Sequence, residues 1–169
     1  MLPHHLAVPL MLAACITWFP SHGAAESAGP FGKMAGSWSG GGSLTMANGT
    51  QERLRCRANY NVGGGGNAVR LNIRCASGST NFDLGGDVQA RGNALSGSWS
   101  EASRGVSGSV SGRVSGDQVQ VMARSDTFSA GLSMVTRGNR QSVSIRPQGG
   151  AEISAVSITL SKAERTAGR

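Results

Sequence analysis

The feature that most constrains the fold of this chain is a two-residue alternation of apolar and polar side chains, which recurs from the segment around Trp38 to Leu160. Successive side chains of a β-strand point to opposite faces, so this alternation predicts strands with one buried face. In residues 51–62, the apolar face carries Leu54, Cys56, Ala58 and Tyr60. After the first 25 residues, no stretch keeps the 3.6-residue apolar period of a helix. The chain is therefore predicted to be all-β.

About ten such runs follow one another, separated by short turn segments such as Arg91-Gly92-Asn93 and Arg137-Gly138-Asn139. Short turns make successive strands antiparallel, which gives an up-and-down meander. A closed barrel would leave no strand edges, and we predict it over the alternative, a β-sandwich. In the last strand the alternation slips at Ala155–Val156, which predicts a β-bulge. The polar outer face, rich in Ser, Arg, Asn and Gln, argues against a membrane-spanning barrel.

Runs 51–62 and 69–75 flank the glycine turn 63–66 and form a predicted hairpin. Cys56 and Cys75 fall on its inner face, either directly opposite or diagonal to each other, depending on register. They are the two cysteines that follow residue 25, and in a chain exported by its amino-terminal segment such a pair predicts a disulfide, with two free buried thiols as the alternative.

The amino-terminal segment has the pattern of an export signal. Residues 6–19 are almost wholly apolar, and Gly23, Ala24 and Ala25 follow, so we predict a signal peptide over 1–25 that is removed after Ala25. Leu12-Ala13-Ala14-Cys15 also resembles a lipobox, which would leave a lipoprotein anchored at Cys15. An uncleaved anchor is a third alternative. We expect a periplasmic or secreted protein with a flexible arm at 26–34, a β-barrel domain at 35–162 and a basic tail at 163–169.

The positions of the histidines restrict the chemistry. All three, His4, His5 and His22, lie in the predicted leader, so the exported domain has no imidazole. Ser-His-Asp and Cys-His sites, and metal centres held by histidine, are then unavailable. No carboxylate pair is placed for glycoside hydrolysis, and no segment has calcium-loop spacing. We expect no enzyme activity, no metal site and no cofactor.

The predicted barrel interior is the first candidate site, because barrel interiors commonly hold small molecules. Several inward positions are small, and the larger predicted lining residues would contact an apolar ligand. They are Tyr60, Phe82, Trp99, Phe128 and Met134. The alternative is a tightly packed core without a cavity.

The outer face of the hairpin is the second candidate site. It carries five arginines: Arg53, Arg55, Arg57, Arg70 and Arg74. Guanidinium groups bind phosphate and carboxylate well, so an anionic lipid or glycan surface is a candidate partner. The net charge of +7 favours the same class of partner. The alternative is a solvated face that Glu52, Asp83, Asp87 and Glu101 partly neutralise. Nucleic acid is not expected, because no aromatic residues interleave with these arginines.

Gly36-Ser37-Trp38 opens the first strand and resembles the Gly-x-Trp signature of lipocalin-like, calycin-type barrels. In that family the Trp closes one end of the barrel. The chain is also similar to small Gly- and Ser-rich exported bacterial proteins of unknown function. A third similarity is to periplasmic inhibitors of secreted metalloproteases, which are small barrels with an early Gly-x-Trp and one disulfide. These resemblances imply non-catalytic binding of a small apolar or amphipathic ligand, or protease inhibition through the amino-terminal arm.

Overall fold

The computed structural model describes residues 29–164, and these residues form a closed barrel of ten antiparallel strands. The strands are β1 (Gly36–Met46), β2 (Gln51–Gly63), β3 (Ala68–Ala76), β4 (Asn81–Arg91), β5 (Ala94–Glu101), β6 (Val106–Ser115), β7 (Gln118–Arg124), β8 (Ser129–Arg137), β9 (Arg140–Gln148) and β10 (Ile153–Lys162). Two short 3-10 helices, Gly32–Met34 and Gly64–Gly66, complete the described part. The predicted signal peptide, the lipidation site at Cys15 and the end of the basic tail lie outside the described residues.

The barrel closes because β1 pairs with both β2 and β10. Trp38 lies opposite Ala58 on β2 and opposite Lys162 on β10. Every other strand pairs with its neighbours in sequence, so the meander has no free edge among the described residues. The predicted closed barrel is thus confirmed, and the sandwich alternative is wrong. Within residues 29–164, no helix is long and apolar enough to cross a membrane.

The predicted alternation also sets the core. Along β2, Leu54, Cys56, Ala58 and Tyr60 are buried, while the arginines between them are exposed. Cys56 lies directly opposite Cys75 in the β2–β3 register, and the two form the predicted disulfide. The register therefore resolves the open choice between a direct and a diagonal pair.

The predicted irregularity of the last strand lies at Ser154. Thr45 pairs with Ala155 and Met46 pairs with Ile153, so Ser154 is an extra residue in β10. Its Oγ donates to the backbone oxygens of Thr45 (3.1 Å) and Met46 (3.2 Å). The slip therefore precedes the predicted position at Ala155–Val156, and the Ser154 hydroxyl binds carbonyl groups where the regular pairing shifts.

Inward-facing glycines allow neighbouring strands to approach one another closely on two sides of the barrel. They are Gly40, Gly42, Gly97, Gly108 and Gly112. A Cβ atom at Gly42 would collide with the backbone oxygen of Ser157, and one at Gly108 with that of Arg124. Glycine in a strand commonly marks such close backbone approach at barrel corners. These small residues therefore serve the close packing of the wall as well as leaving space inside it.

We call one end of the barrel the closed end. It contains the turns 92–93, 116–117 and 138–139, the Gly64–Gly66 turn and residues 29–35. Phe31 and Met34 are buried there, and the Phe31 amide donates to the backbone oxygen of Gly66 (3.0 Å). Residues 29–34 were predicted as part of a flexible arm. That prediction is wrong for this part of the segment, because two large apolar side chains plug the barrel.

Trp38 and a buried polar chain complete the closed end. Trp38 is 1% exposed, and its Nε1 donates to the backbone oxygen of Met34 (2.7 Å). The Tyr60 hydroxyl donates to Gln141 Oε1 (2.6 Å), and Gln141 Nε2 donates to Thr136 Oγ1 (3.0 Å). Burial raises the pKa of Tyr60, although the hydrogen bond to Gln141 opposes this. The Trp therefore lies where the lipocalin-like resemblance implies, at one end of the barrel.

Candidate functional site

A cavity of about 500 Å³ occupies the barrel interior. It extends from Phe31 and Met34 at the closed end to the loops of the opposite end, which we call the open end. The open end comprises the loops 47–50, 77–80, 102–105, 125–128 and 149–152. The volume falls within the range of roughly 300–1,000 Å³ that is usual for small-molecule sites. The interior is therefore large enough to hold a small ligand.

The cavity wall is largely apolar because the strands from β2 to β10 direct alternate side chains inward. Its apolar residues include Leu54, Val69, Ile73, Leu84, Val110, Val121, Leu132, Met134, Val143 and Ile158. Such a surface offers contacts to hydrocarbon and few hydrogen bonds, so it would bind the apolar part of a ligand.

Four of the five predicted lining residues, Phe82, Trp99, Phe128 and Met134, contribute to the cavity wall. Tyr60 does not line the cavity, so the prediction is wrong for this residue. Its hydroxyl is bound to Gln141, and its ring packs edge-on against Trp38 with centroids 6.4 Å apart. The parity of Tyr60 was right, but its position along β2 places it in the closed end. A ligand-binding role for the other four residues stays a prediction.

Aromatic side chains cluster toward the open end. The rings of Trp99 and Phe128 lie with their centroids 5.8 Å apart and their planes tilted by 59°. Trp99 Nε1 donates to the backbone oxygen of Arg124 (3.3 Å). Phe82 lies beneath the Arg104 guanidinium, with 4.7 Å between Cζ and the ring centroid. These partly exposed rings form an apolar entrance.

Three charged residues also line the cavity: Glu101, Arg104 and Glu152. Glu101 is 8% exposed and accepts hydrogen bonds from the amides of Asp83 (2.8 Å), Ser103 (3.2 Å) and Arg104 (2.9 Å). Burial alone would raise the pKa of Glu101, but these hydrogen bonds outweigh it and lower the pKa below its usual value. Glu101 is therefore a carboxylate at neutral pH.

Arg104 is held in place on several sides. Its Nη1 donates to the backbone oxygen of Asn81 (3.2 Å) and lies 3.4 Å from Glu101 Oε2. Its Nη2 donates to Thr80 Oγ1 (2.8 Å). Arg104 was not among the predicted site residues, because it lies in a turn. Trp99 and Glu101 are alternate residues of β5, so the inward direction of Trp99 could have predicted that Glu101 also faces the interior. Arg104 follows three residues later and could then have been placed beside Glu101.

The five predicted anion-binding arginines lie on the outer face of β2 and β3, but they fall into two groups. Arg70 pairs with Asp87 (3.2 Å) and Arg74 with Asp83 (3.1 Å). A second group has no carboxylate within 4.0 Å among the described residues, and its members are Arg53, Arg55 and Arg57. Arg57 also lies directly opposite Arg74 across the ladder.

Under the alternative of a solvated face, four carboxylates would partly neutralise the arginines, and two of them, Asp83 and Asp87, pair with Arg74 and Arg70. Glu52 instead accepts from the hydroxyls of Ser77 (2.5 Å) and Ser79 (2.6 Å), which lower its pKa. Glu101 faces the interior. That alternative is therefore wrong for Glu52 and Glu101, because both carboxylates bind groups of the open end. Residues 29–164 also contain no cluster of three potential metal-ligating His, Cys, Asp or Glu side chains.

Comparisons with known proteins show the fold but no family. No protein-family model matches the chain, and no curated protein matches it. The crystal structure of Rv2717c from M. tuberculosis superposes with a TM-score of 0.62 at 14% identity, covering 78% of this chain and 94% of that one. The S-type phycobiliprotein lyase CPES from Guillardia theta gives 0.57 at 10% identity, covering 80% and 91%. These likenesses and the closed ten-stranded barrel fit a lipocalin-like, calycin-type fold.

Proposed function

We propose that this barrel binds a small apolar or amphipathic molecule in its interior without transforming it. The observation that carries the proposal is the cavity of about 500 Å³, whose wall is apolar except toward the open end. Packed barrel cores leave few voids larger than a water molecule, so a continuous cavity of this size needs an explanation. Binding of a hydrocarbon-containing ligand explains both the volume and the chemistry of the wall.

The chemistry of the wall supports a non-catalytic role. Residues 29–164 contain no histidine, and the two cysteines are joined in a disulfide. Glu101, one of the acidic residues of the wall, is bound by three backbone amides and by Arg104. The likeness to a phycobiliprotein lyase is one of fold, and we carry no activity over from it.

The test uses N-phenyl-1-naphthylamine, a neutral apolar dye whose fluorescence rises in apolar surroundings. The folded protein should bind it saturably, with a blue-shifted emission. Ala123→Phe should weaken binding, because Ala123 lines the cavity. Met122→Phe is the matched control, since Met122 is the preceding residue of β7 and points to the outer face. Absence of dye binding by the folded protein, or equal effects of the two substitutions, would count against an interior site.

We further propose export, with the leader removed after Ala25 or, alternatively, with a lipid on Cys15. The Cys56–Cys75 disulfide supports an oxidising compartment, because such bonds are rare in reducing cytosol. The intact mass of protein recovered from the exporting cell distinguishes a cut after Ala25, a lipidated Cys15 and an uncleaved chain. A mass that retains an unmodified leader would contradict both forms of the proposal.

A second candidate function is attachment to an anionic envelope surface, and the unpaired group Arg53, Arg55 and Arg57 favours it. Alternate residues of a strand are about 7 Å apart, so these guanidiniums form a row along β2. Each basic residue near an anionic bilayer contributes about 1 kcal/mol of attraction, which salt screens. The protease-inhibitor alternative has less support, because residues 29–34 of the predicted arm are packed into the barrel.

Vesicles containing anionic lipid test the attachment. Replacing Arg53, Arg55 and Arg57 by Ser should reduce binding about tenfold or more at low salt. The matched control replaces three exposed arginines of other strands, Arg91, Arg113 and Arg140, by Ser. This control removes the same charge, so equal losses in the two variants would indicate a general charge effect and no arginine site on β2.

A further inference from the structure

We infer that the open end selects ligands with an anionic head group, a carboxylate in particular, and that Arg104 contacts this group. The inference rests on the proposed function, since it assigns the head of a ligand whose apolar part lies in the cavity. Its basis is the placement of one fixed guanidinium beside a largely apolar chamber. Arg104 lines the cavity, and its side chain remains 44% exposed toward solvent.

The guanidinium is positioned before any ligand arrives. Phe82 supports one face of it, while Asn81, Thr80 and Glu101 hold Nη1 and Nη2. Nε makes no hydrogen bond to any described residue, so this N–H remains available. A guanidinium whose position is already fixed loses little side-chain freedom on binding, and its planar N–H groups match a carboxylate.

The negative charge of Glu101 does not prevent Arg104 from binding an anionic head group, although Glu101 lies beside Arg104. Its carboxylate accepts hydrogen bonds from three backbone amides, and these bonds already stabilise its negative charge. Its contact with Arg104 Nη1 is long at 3.4 Å. The carboxylate therefore acts as a positioning residue that orients the loop 102–105 and its arginine. The exposed part of Arg104 then provides the positive charge at this side of the open end.

A cationic head group would instead have to use Glu152, because Glu152 is the charged residue of the wall that has no ion pair among the described residues. Glu152 lies in the loop 149–152, and the loop 125–128 separates it along the open end from the loop of Arg104. No described residue holds the Glu152 side chain by a hydrogen bond. Arg104 is thus the preorganised partner, and the net charge of +7 favours the approach of anions.

The experiment compares dodecanoate with 1-dodecanol, which have the same chain but a charged or a neutral head. Each displaces the neutral dye from wild-type protein and from Arg104→Gln, Arg104→Lys and Arg113→Gln. The last variant removes an exposed arginine of β6 that lies next to the turn 116–117 of the closed end. Because a partly exposed charge-assisted hydrogen bond is worth about 1 kcal/mol, wild type should prefer dodecanoate by about fivefold.

Arg104→Gln should remove this preference and leave the affinity for dodecanol within about twofold. Arg104→Lys should retain part of the preference, and Arg113→Gln should retain all of it. If Arg104→Gln lowers the affinity for dodecanoate and for dodecanol equally, the role of Arg104 is purely structural and the inference is overturned. An unchanged preference in that variant would overturn it too. If wild type binds the dye but not dodecanoate, only this inference fails, whereas failure to bind the dye removes the proposed function as well.

Discussion

The closed end and the open end of the barrel consist of the same ten strands, yet their connections differ in length and packing. Three connections at the closed end are two-residue turns, whereas the five loops of the open end have four residues each. Gly92, Gly116 and Gly138 adopt positive φ in the short turns, which glycine permits at little cost. The closed end is further filled by Phe31, Met34 and Trp38, while the open end surrounds a cavity.

This difference suggests that stability and binding are assigned to opposite ends. The large apolar side chains of the closed end, Phe31, Met34 and Trp38, are buried, and the polar chain from Tyr60 to Thr136 makes its hydrogen bonds within the protein. The aromatic rings of the open end and the Arg104 guanidinium stay partly exposed, so they can exchange contacts with solvent for contacts with a ligand. Functional residues are commonly found on loops that a rigid scaffold positions.

The largest expected effect compares the two tryptophans of the barrel. Trp38→Ala removes a side chain that is 1% exposed and should lower the free energy of unfolding by about 3–5 kcal/mol. Trp99→Ala removes a partly exposed ring and should cost about 1–2 kcal/mol, while it weakens dye binding. Urea unfolding and dye titration of both variants provide the measurements. Equal stability losses would contradict the division between the ends.

A smaller effect is expected at the buried polar chain. Tyr60→Phe leaves Gln141 Oε1 without its donor and should lower the free energy of unfolding by about 1–3 kcal/mol. Dye affinity should stay unchanged, because Tyr60 is not part of the cavity wall. Urea unfolding together with dye titration checks both statements, and a clear loss of affinity would show that the two ends are coupled.

The smallest expected effect is a pH dependence at Glu101. Folding lowers the pKa of this carboxyl from about 4.5, so its ionised form stabilises the fold above that pH and this contribution is lost as pH falls through the lower folded pKa. Glu101→Gln should therefore cost on the order of 1 kcal/mol at pH 7, and less at low pH. Unfolding curves between pH 7 and pH 3 measure the difference. Glu152→Gln is the control, because it makes the same exchange of carboxylate for amide in another loop of the open end.

Period-two alternation was sufficient to predict the strands, the meander and the hairpin that carries Cys56 and Cys75. It specifies which face each residue takes, and closure follows from short turns and the absence of edges. Alternation does not specify height along the barrel axis, however, because that depends on the stagger between strands. Tyr60 was therefore assigned to the correct face but to the wrong place, in the closed end instead of the cavity wall.

The candidate site was less predictable than the fold. The strand alternation predicted the inward direction of four residues of the wall, Phe82, Trp99, Phe128 and Met134. The role of Arg104 depends instead on how the loop 102–105 folds over Phe82. A turn residue has no periodic pattern that would indicate its direction. Phe31 and Met34 were missed for a related reason, since they precede the first strand and their burial depends on contacts with the distant Gly64–Gly66 turn.

Hydrogen–deuterium exchange with and without a bound ligand tests the division of the two ends most directly. Dodecanoate, or the neutral dye if dodecanoate does not bind, is added at saturation. We expect new protection in the open-end loops 77–80, 102–105 and 125–128, and no change at the closed-end turns 92–93, 116–117 and 138–139. Protection confined to the closed end or to the outer face of β2, with none at the open end, would show that the ligand does not bind at the open end.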